Sequence, residues 1–298
     1  MVGKSLLIDM PSPFALEPGT VRLMAPAQGL SAEQFAQLRE GTLGRPFIID
    51  HGGMRNLFFT VESVQSSMRL DDPNALVAPY TRKMMAFLLF IPAPRHVLMI
   101  GLGGGSLAKF CYRHLPRTRI SVVEINADII ALREAFAIPD DDERFEVINN
   151  DGAAYLAEGR IRPDIVLVDA FDATGVAPSL ESSDFYTQVS QCMTPGGVLV
   201  MNLAGDKTRY AGHIASLRSA FPDSIRLSPV VGDDNLLAFA CRGPQVVELP
   251  QFLSKRAHLL ERGLGLQFPR YLAQLHDGEI LATSRTSAAS SSTDPCSA

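Results

Sequence analysis

Apolar and polar positions follow two different rhythms along this chain. Between Arg45 and Met68 short apolar runs are broken by glycine. Phe47-Ile48-Ile49 and residues 57–61 flank His51-Gly52-Gly53, the pattern of a β-hairpin with a glycine turn, and 64–68 can add a third strand. From His96 onward wholly apolar runs alternate with helical stretches. Strands are predicted at 97–100, 120–123, 145–148, 165–168 and 198–201, with helices near 106–114, 127–136, 152–158 and 182–193. Uninterrupted apolar strands separated by helices predict a parallel sheet covered on both faces. Residues 226–230 and 236–240, joined through Gly232-Asp233-Asp234, read as an antiparallel hairpin that closes the sheet.

This pattern predicts an α/β chain. A Rossmann-like sheet of the class I methyltransferase type, parallel with a closing antiparallel hairpin, is preceded by a small N-terminal β-domain. The expected partition is 1–78 for the N-terminal segment, 79–282 for the Rossmann-like domain and 283–298 for a Ser/Thr/Ala-rich disordered tail. Residues 1–44 are weakly patterned, although Ser31 and Gln34 have capping-box spacing for a helix running to Glu40. A helix over 80–90 is stopped by Pro92 and Pro94. Two more helices are expected at 249–261 and 269–276.

Composition narrows the class. The 298 residues are 46% hydrophobic and 20% charged with a net charge of −5, which suits a soluble domain and argues against a general nucleic-acid binder. Cys111, Cys192, Cys241 and Cys296 show no paired spacing, so neither a disulfide framework nor a zinc site is expected, and no pair of histidines has ligand spacing. The apolar run 84–91 is far too short to span a membrane, and the N-terminus makes a poor signal peptide. A cytoplasmic protein without a metal is the expectation.

The chemistry concentrates where strands end. His96 to Phe110, HVLMIGLGGGSLAKF, passes from a buried strand through Gly101, Gly103, Gly104 and Gly105 into a helix whose free N–H groups face back toward the turn. Alone, this turn fits an incomplete NAD fingerprint, an adenosyl site or a turn without a ligand, because Ser106 stands where the third fingerprint glycine belongs. Its company favours a nucleoside. Glu124 ends the second strand, where it can accept from both ribose hydroxyls; Asp151 and Gly152 follow the third; Asp169 ends the fourth. Asp169 with Asp172 forms the candidate reaction centre, since carboxylates at a sheet edge can hold a cationic amine and take its proton.

The order GLGGGS, VVEIN, NNDG, VLVDAFD, FYTQVSQCMTPGGVLVMNL resembles the spermidine synthase (polyamine aminopropyltransferase) superfamily over residues 45 to 240. Upstream, Glu62-Ser63-Val64-Gln65 is similar to the family's acid-Gly-x-x-Gln strand, one residue shorter and without the glycine, and Tyr80 matches the tyrosine that opens the helix before the sheet. The resemblance implies aminopropyl transfer from decarboxylated S-adenosylmethionine to putrescine or a similar amine. It places Gln65, Gly101, Gly103, Gly104, Glu124, Asp151 and Gly152 around the donor. Asp169 becomes the base or amine anchor, with Asp172 and Tyr80 assisting, and the protein a homo-oligomer, a dimer or tetramer with the dimer expected, acting on a small molecule.

Two departures keep alternatives open. The family's glycine turn carries an Asp where this chain has Gly104, and its His or Gln and Glu after the tyrosine are Thr81 and Arg82 here. An acid at position 104 would repel the carboxylate of intact S-adenosylmethionine, and glycine removes that repulsion. A methyltransferase on a small nucleophile and a catalytically silent nucleoside-binding protein therefore stand beside the aminopropyl reading. In each case the adenosyl compound is a co-substrate or ligand and nothing is held permanently.

Overall fold

The glycine-punctuated first part folds as an antiparallel meander. In the computed structural model, which describes residues 5–277 except 15–17, 27–28, 173–174, 177, 206, 223–224, 233 and 244–249, it comprises β1 (Ser5–Pro11), β2 (Thr20–Pro26), β3 (Phe47–His51), β4 (Met54–Thr60) and β5 (Ser63–Arg69), paired in that order. The predicted hairpin is β3–β4. Its turn glycines, Gly52 and Gly53, have φ of 58° and 77°, the left-handed pair that a two-residue hairpin requires. Two of the strands, β1 and β2, lie in the segment whose pattern is weak. Helix α1 (Ala32–Glu40) starts on the expected capping box, with Ser31 and Gln34 exchanging side-chain to backbone bonds, and ends at Gly41. Its Leu38 packs into a core with Phe47 and Phe58, whose rings stack at 5.5 Å.

The second part runs α2 (Pro79–Met84), a 3₁₀ turn (Met85–Leu89), β6 (His96–Ile100), α3 (Ser106–His114), β7 (Arg119–Glu124), α4 (Ala127–Ala131), β8 (Phe145–Asn149) and α5 (Gly152–Ala157). It continues with β9 (Ile165–Val168), the two-residue strands β10 (Phe171–Asp172) and β11 (Gly175–Val176), α6 (Ser183–Cys192), β12 (Val198–Leu203), α7 (Tyr210–Ala220), β13 (Ile225–Pro229) and β14 (Leu236–Cys241). Helices α8 (Pro250–Leu264) and α9 (Phe268–Ala273) and the short β15 (His276–Asp277) follow. The main sheet has the order β15-β13-β14-β12-β9-β6-β7-β8. It is parallel from β12 to β8 and antiparallel beyond β12, as the apolar pattern predicts. In β6, Val97 and Met99 enter one core and Leu98 and Ile100 the other, which is why the run has no polar position.

Two predicted helices end early, and one helix lies outside the expected set. The expected helix 127–136 stops at Ala131 and the chain turns through Ala137, which has φ of 52°. The break lets Phe136 and Ile138, 1% and 6% exposed, both pack on the glycine turn. The last helix ends at Ala273, and His276 leaves it to pair with β13. Helix α7, absent from the expected set, buries only His213, Ile214 and Leu217. The predicted tail, 283–298, lies outside the described residues.

The small sheet is tied to the main one at several points. Arg45 makes a two-toothed ion pair with Asp128, at 2.8 and 2.9 Å, and Arg55 bonds both Asp50 and the Ala135 carbonyl. Lys109 of α3, 1% exposed, donates to the Phe136 carbonyl at 2.6 Å and touches the Met68 sulfur of β5. Burial brings its pKa down to about 8.

Candidate active site

The strand order reverses between β6 and β9, since β7 and β8 extend the sheet one way from β6 while β9 and β12 lie on its other side. Open parallel sheets bind ligands beyond the carboxyl ends of the strands at such a point. Here the two departing loops touch. The Asp169 N–H donates to the Ile100 carbonyl at 3.0 Å, and a Cβ on Gly101 would lie 2.2 Å from the Asp169 carbonyl oxygen. With φ of 97° as well, position 101 accepts only glycine. A cavity of about 390 Å³ opens between these loops and β5.

One side of the cavity is suited to an adenosyl group. Glu124 is 9% exposed and fixed by two backbone donors: Leu102 N–H reaches its Oε2 at 2.9 Å and Asn126 N–H its Oε1 at 2.8 Å. Each oxygen keeps a lone pair for a hydroxyl donor. Asp151 caps α5, accepting the Ala154 N–H on Oδ1 at 2.9 Å, which leaves Oδ2 without a donor among the described residues. Met99, Leu102, Val123 and Ile129 line the space beside Glu124, and Ile125 lines it although 67% exposed, a flat apolar surface of the kind an aromatic base covers. Gly152 serves packing: a Cβ there would meet the Ile100 side chain at 2.6 Å.

The other side holds Asp169. Asn202 Nδ2 donates to its Oδ1 at 3.0 Å and the Tyr80 hydroxyl to its Oδ2 at 3.2 Å. Burial pushes the Asp169 pKa above the ordinary carboxylate range, and the two donors oppose that shift. Asn202 lies in β12 and is 2% exposed, with its Oδ1 buried and unpartnered among the described residues. The sequence reading missed it, although a lone amide inside the apolar run VLVMNL was the signal available.

Gln65, Gly101, Gly103, Glu124, Asp151, Gly152, Tyr80 and Asp169 all line this one cavity. Gly104 does not. It is buried beneath β5 and the segment that follows α4, and a Cβ on it would lie 2.7 Å from the Ser66 hydroxyl and 2.9 Å from the Phe136 ring. Ser66 therefore faces the cavity where position 104 was expected to. Asp172 belongs to β10, and its side chain lies outside the described residues. Thr81 lines the cavity with its hydroxyl bonded to the Ala78 carbonyl at 2.7 Å, whereas Arg82 points away and binds the carbonyls of Leu76 and Val77.

A fixed carboxylate for hydroxyls, a free carboxylate oxygen beyond it and a desolvated acid on the far side suit transfer of an alkyl group from an adenosyl sulfonium to a basic nucleophile. The comparisons agree. Residues 78–215 match the spermine/spermidine synthase domain. The polyamine aminopropyltransferase of Chromobacterium violaceum is 38% identical over 230 residues, covering 76% of this chain and 88% of that protein. Among solved structures, a probable spermidine synthase from Corynebacterium glutamicum superposes with a TM-score of 0.61 at 17% identity, over 85% of this chain and 94% of that one, a likeness of fold. Human methyltransferase-like protein 13, in complex with SAH, superposes with a TM-score of 0.58 at 25% identity, over 63% and 93%. With 38% identity across most of both chains, and the family's motifs gathered around one cavity, this chain belongs to the spermine/spermidine synthase family.

Proposed function

We propose that the protein transfers the aminopropyl group of decarboxylated S-adenosylmethionine to a small amine. The observation that carries this reading is Asp169, a desolvated acid held between Asn202 and Tyr80 at the end of the cavity opposite Glu124 and Asp151. Glu124 accepts from the ribose hydroxyls and Asp151 from the adenine amino group, which sets the sulfonium near the loop junction at Gly101. The amine nitrogen attacks the carbon next to sulfur. A C–N bond forms as the C–S bond breaks, and its electron pair returns to sulfur, leaving methylthioadenosine. Positive charge has then moved to nitrogen, and Asp169 takes the proton. The elevated pKa makes it a stronger base, and the two neutral donors keep it ionised enough to act.

Calorimetry with both donors tests the reading. Tight binding of decarboxylated S-adenosylmethionine, followed by methylthioadenosine release on adding putrescine, is expected. Exclusive binding of intact S-adenosylmethionine would sink it. One observation favours a second reading, methyl transfer: human methyltransferase-like protein 13, solved in complex with SAH, shares this fold at 25% identity. Release of S-adenosylhomocysteine with an amine panel would establish that reading. Within the first reading the protein works as a cytoplasmic homodimer on a free amine rather than on nucleic acid. Its net charge of −5 supports action away from nucleic acid, and among the described residues no helix is long and apolar enough to cross a membrane.

A further inference from the structure

Helix α2 separates two spaces. Tyr80 and Thr81 face the cavity described above, while Arg82 and Lys83 face a pair of adjoining clefts on the other side. The larger, about 450 Å³, lies among α2, the end of α3 and the α8–α9 junction; the smaller, about 260 Å³, lies between α2, α9 and the end of β13. Arg82, Gln267 and Tyr271 line both.

The charges here are one-sided. The smaller cleft is lined by Arg82, Lys83 and Arg270 and by no carboxylate among the described residues. The larger adds Arg113 and His114 against one acid, Asp72. None of these lysines and arginines has a carboxylate partner among the described residues. Arg82 bonds the carbonyls of Leu76 and Val77, Lys83 that of Pro229, and Arg270 the Gln267 side chain at 3.2 Å. Neutral acceptors orient these cations without neutralising them. Lys83 is 3% exposed, and burial together with Arg270 lowers its pKa to about 8. Tyr271 is 7% exposed and lines both clefts, and its hydroxyl oxygen accepts from the Gln267 backbone N–H, which leaves the hydroxyl hydrogen to donate. Convergent unneutralised cations beside a tyrosine hydroxyl, in a chain of net negative charge, are the composition of an anion site.

We propose that the paired clefts bind a phosphate-bearing small molecule, with Arg82, Lys83, Arg270 and the Tyr271 hydroxyl as its donors. At least three cations converge, so a polyanion fits better than a single carboxylate, and the joint volume is in the range that holds a small metabolite rather than a lone ion. The planar guanidinium groups match phosphate oxygens two at a time. This site is independent of the reading of the adenosyl cavity, because no residue is shared between the donors on the two sides of α2.

The test is calorimetry of the full-length protein with pyrophosphate, inorganic phosphate and citrate at one fixed ionic strength, since screening would otherwise masquerade as competition. Pyrophosphate is expected to bind more tightly than phosphate, and both more tightly than citrate. Arg270→Glu changes an exposed residue and should weaken pyrophosphate binding at least about tenfold. Tyr271→Phe removes only the hydroxyl and should weaken it several-fold, with unchanged thermal unfolding in the absence of anion. No pyrophosphate binding at millimolar concentration would overturn the proposal, as would equal affinity in Arg270→Glu or equal affinity for citrate.

Discussion

Two carboxylates at the same sheet edge, Glu124 and Asp169, are held in opposite ways. Glu124 is gripped by backbone N–H groups of its neighbouring loops, at 2.9 and 2.8 Å, which cannot move without moving the fold. Asp169 is gripped by two neutral side chains, Asn202 and Tyr80, which arrive from β12 and α2. Backbone donors make a rigidly placed acceptor, suited to holding hydroxyls. Side-chain donors in a desolvated place leave a carboxylate whose proton affinity is raised and adjustable. The difference teaches that position along the sheet edge does not decide the role of an acid; the source of its hydrogen bonds does.

The contrast breaks most sharply at Asp169. Asp169→Asn should lower turnover about a thousandfold, the scale of a lost general base, while donor affinity by calorimetry stays within a few-fold. Its stability should move the other way. The folded-state pKa of Asp169 lies above its unfolded value. Its favourable contribution is thus complete below the unfolded value and is lost as pH rises through the folded one, so at pH 7 the ionised group is a net cost. The asparagine variant should melt higher than the parent at pH 7, with the gain fading as pH falls toward 4. A lower melting point at both pH values would contradict this assignment.

Glu124→Gln should give the reverse pattern, a donor affinity weakened about tenfold to a hundredfold with turnover at saturating donor largely kept. Equal losses in both quantities would erase the distinction between the two acids. Asn202→Ala removes a donor that favours the charged form, so the acid limb of the pH–rate profile should move to higher pH, with kcat/KM at neutral pH down roughly tenfold. Tyr80→Phe should shift the same limb in the same direction but cost only about fivefold. A profile unmoved in both variants would show that neither side chain tunes the base.

The same contrast explains what could be read from the sequence. Glu124, Asp151 and Asp169 follow apolar strands directly, and the parallel sheet puts such residues at one edge, so the candidate site was legible from period and order alone. Asn202 was not, because its role depends on β12 lying beside β9, a pairing that local pattern does not encode. Gly104 was misplaced for a related reason. Only the packing of Ser66 and Phe136 shows that it faces protein rather than ligand. Strands β1 and β2 escaped notice because Pro11 and Pro26 end short runs in which polar and apolar residues mix, and their order comes from the pairing of β2 with β3 and of β1 with β2. Helix α7 carries Gly212 in its interior and a narrow apolar stripe, too little to stand out from a loop.

Asp151 has a dual employment with evolutionary consequences. One oxygen caps the start of a helix and the other, beside the cavity, has no donor among the described residues. Serine or threonine could keep the helix start but offers a single oxygen to both tasks. Glutamate could reach the cavity but is a poor cap. Asparagine would cap, yet would present an amide where a charge stands now. Drift at this position is therefore confined by two unrelated demands at once, and a relative that abandons aspartate here must either rebuild the start of α5 or present different chemistry to the cavity.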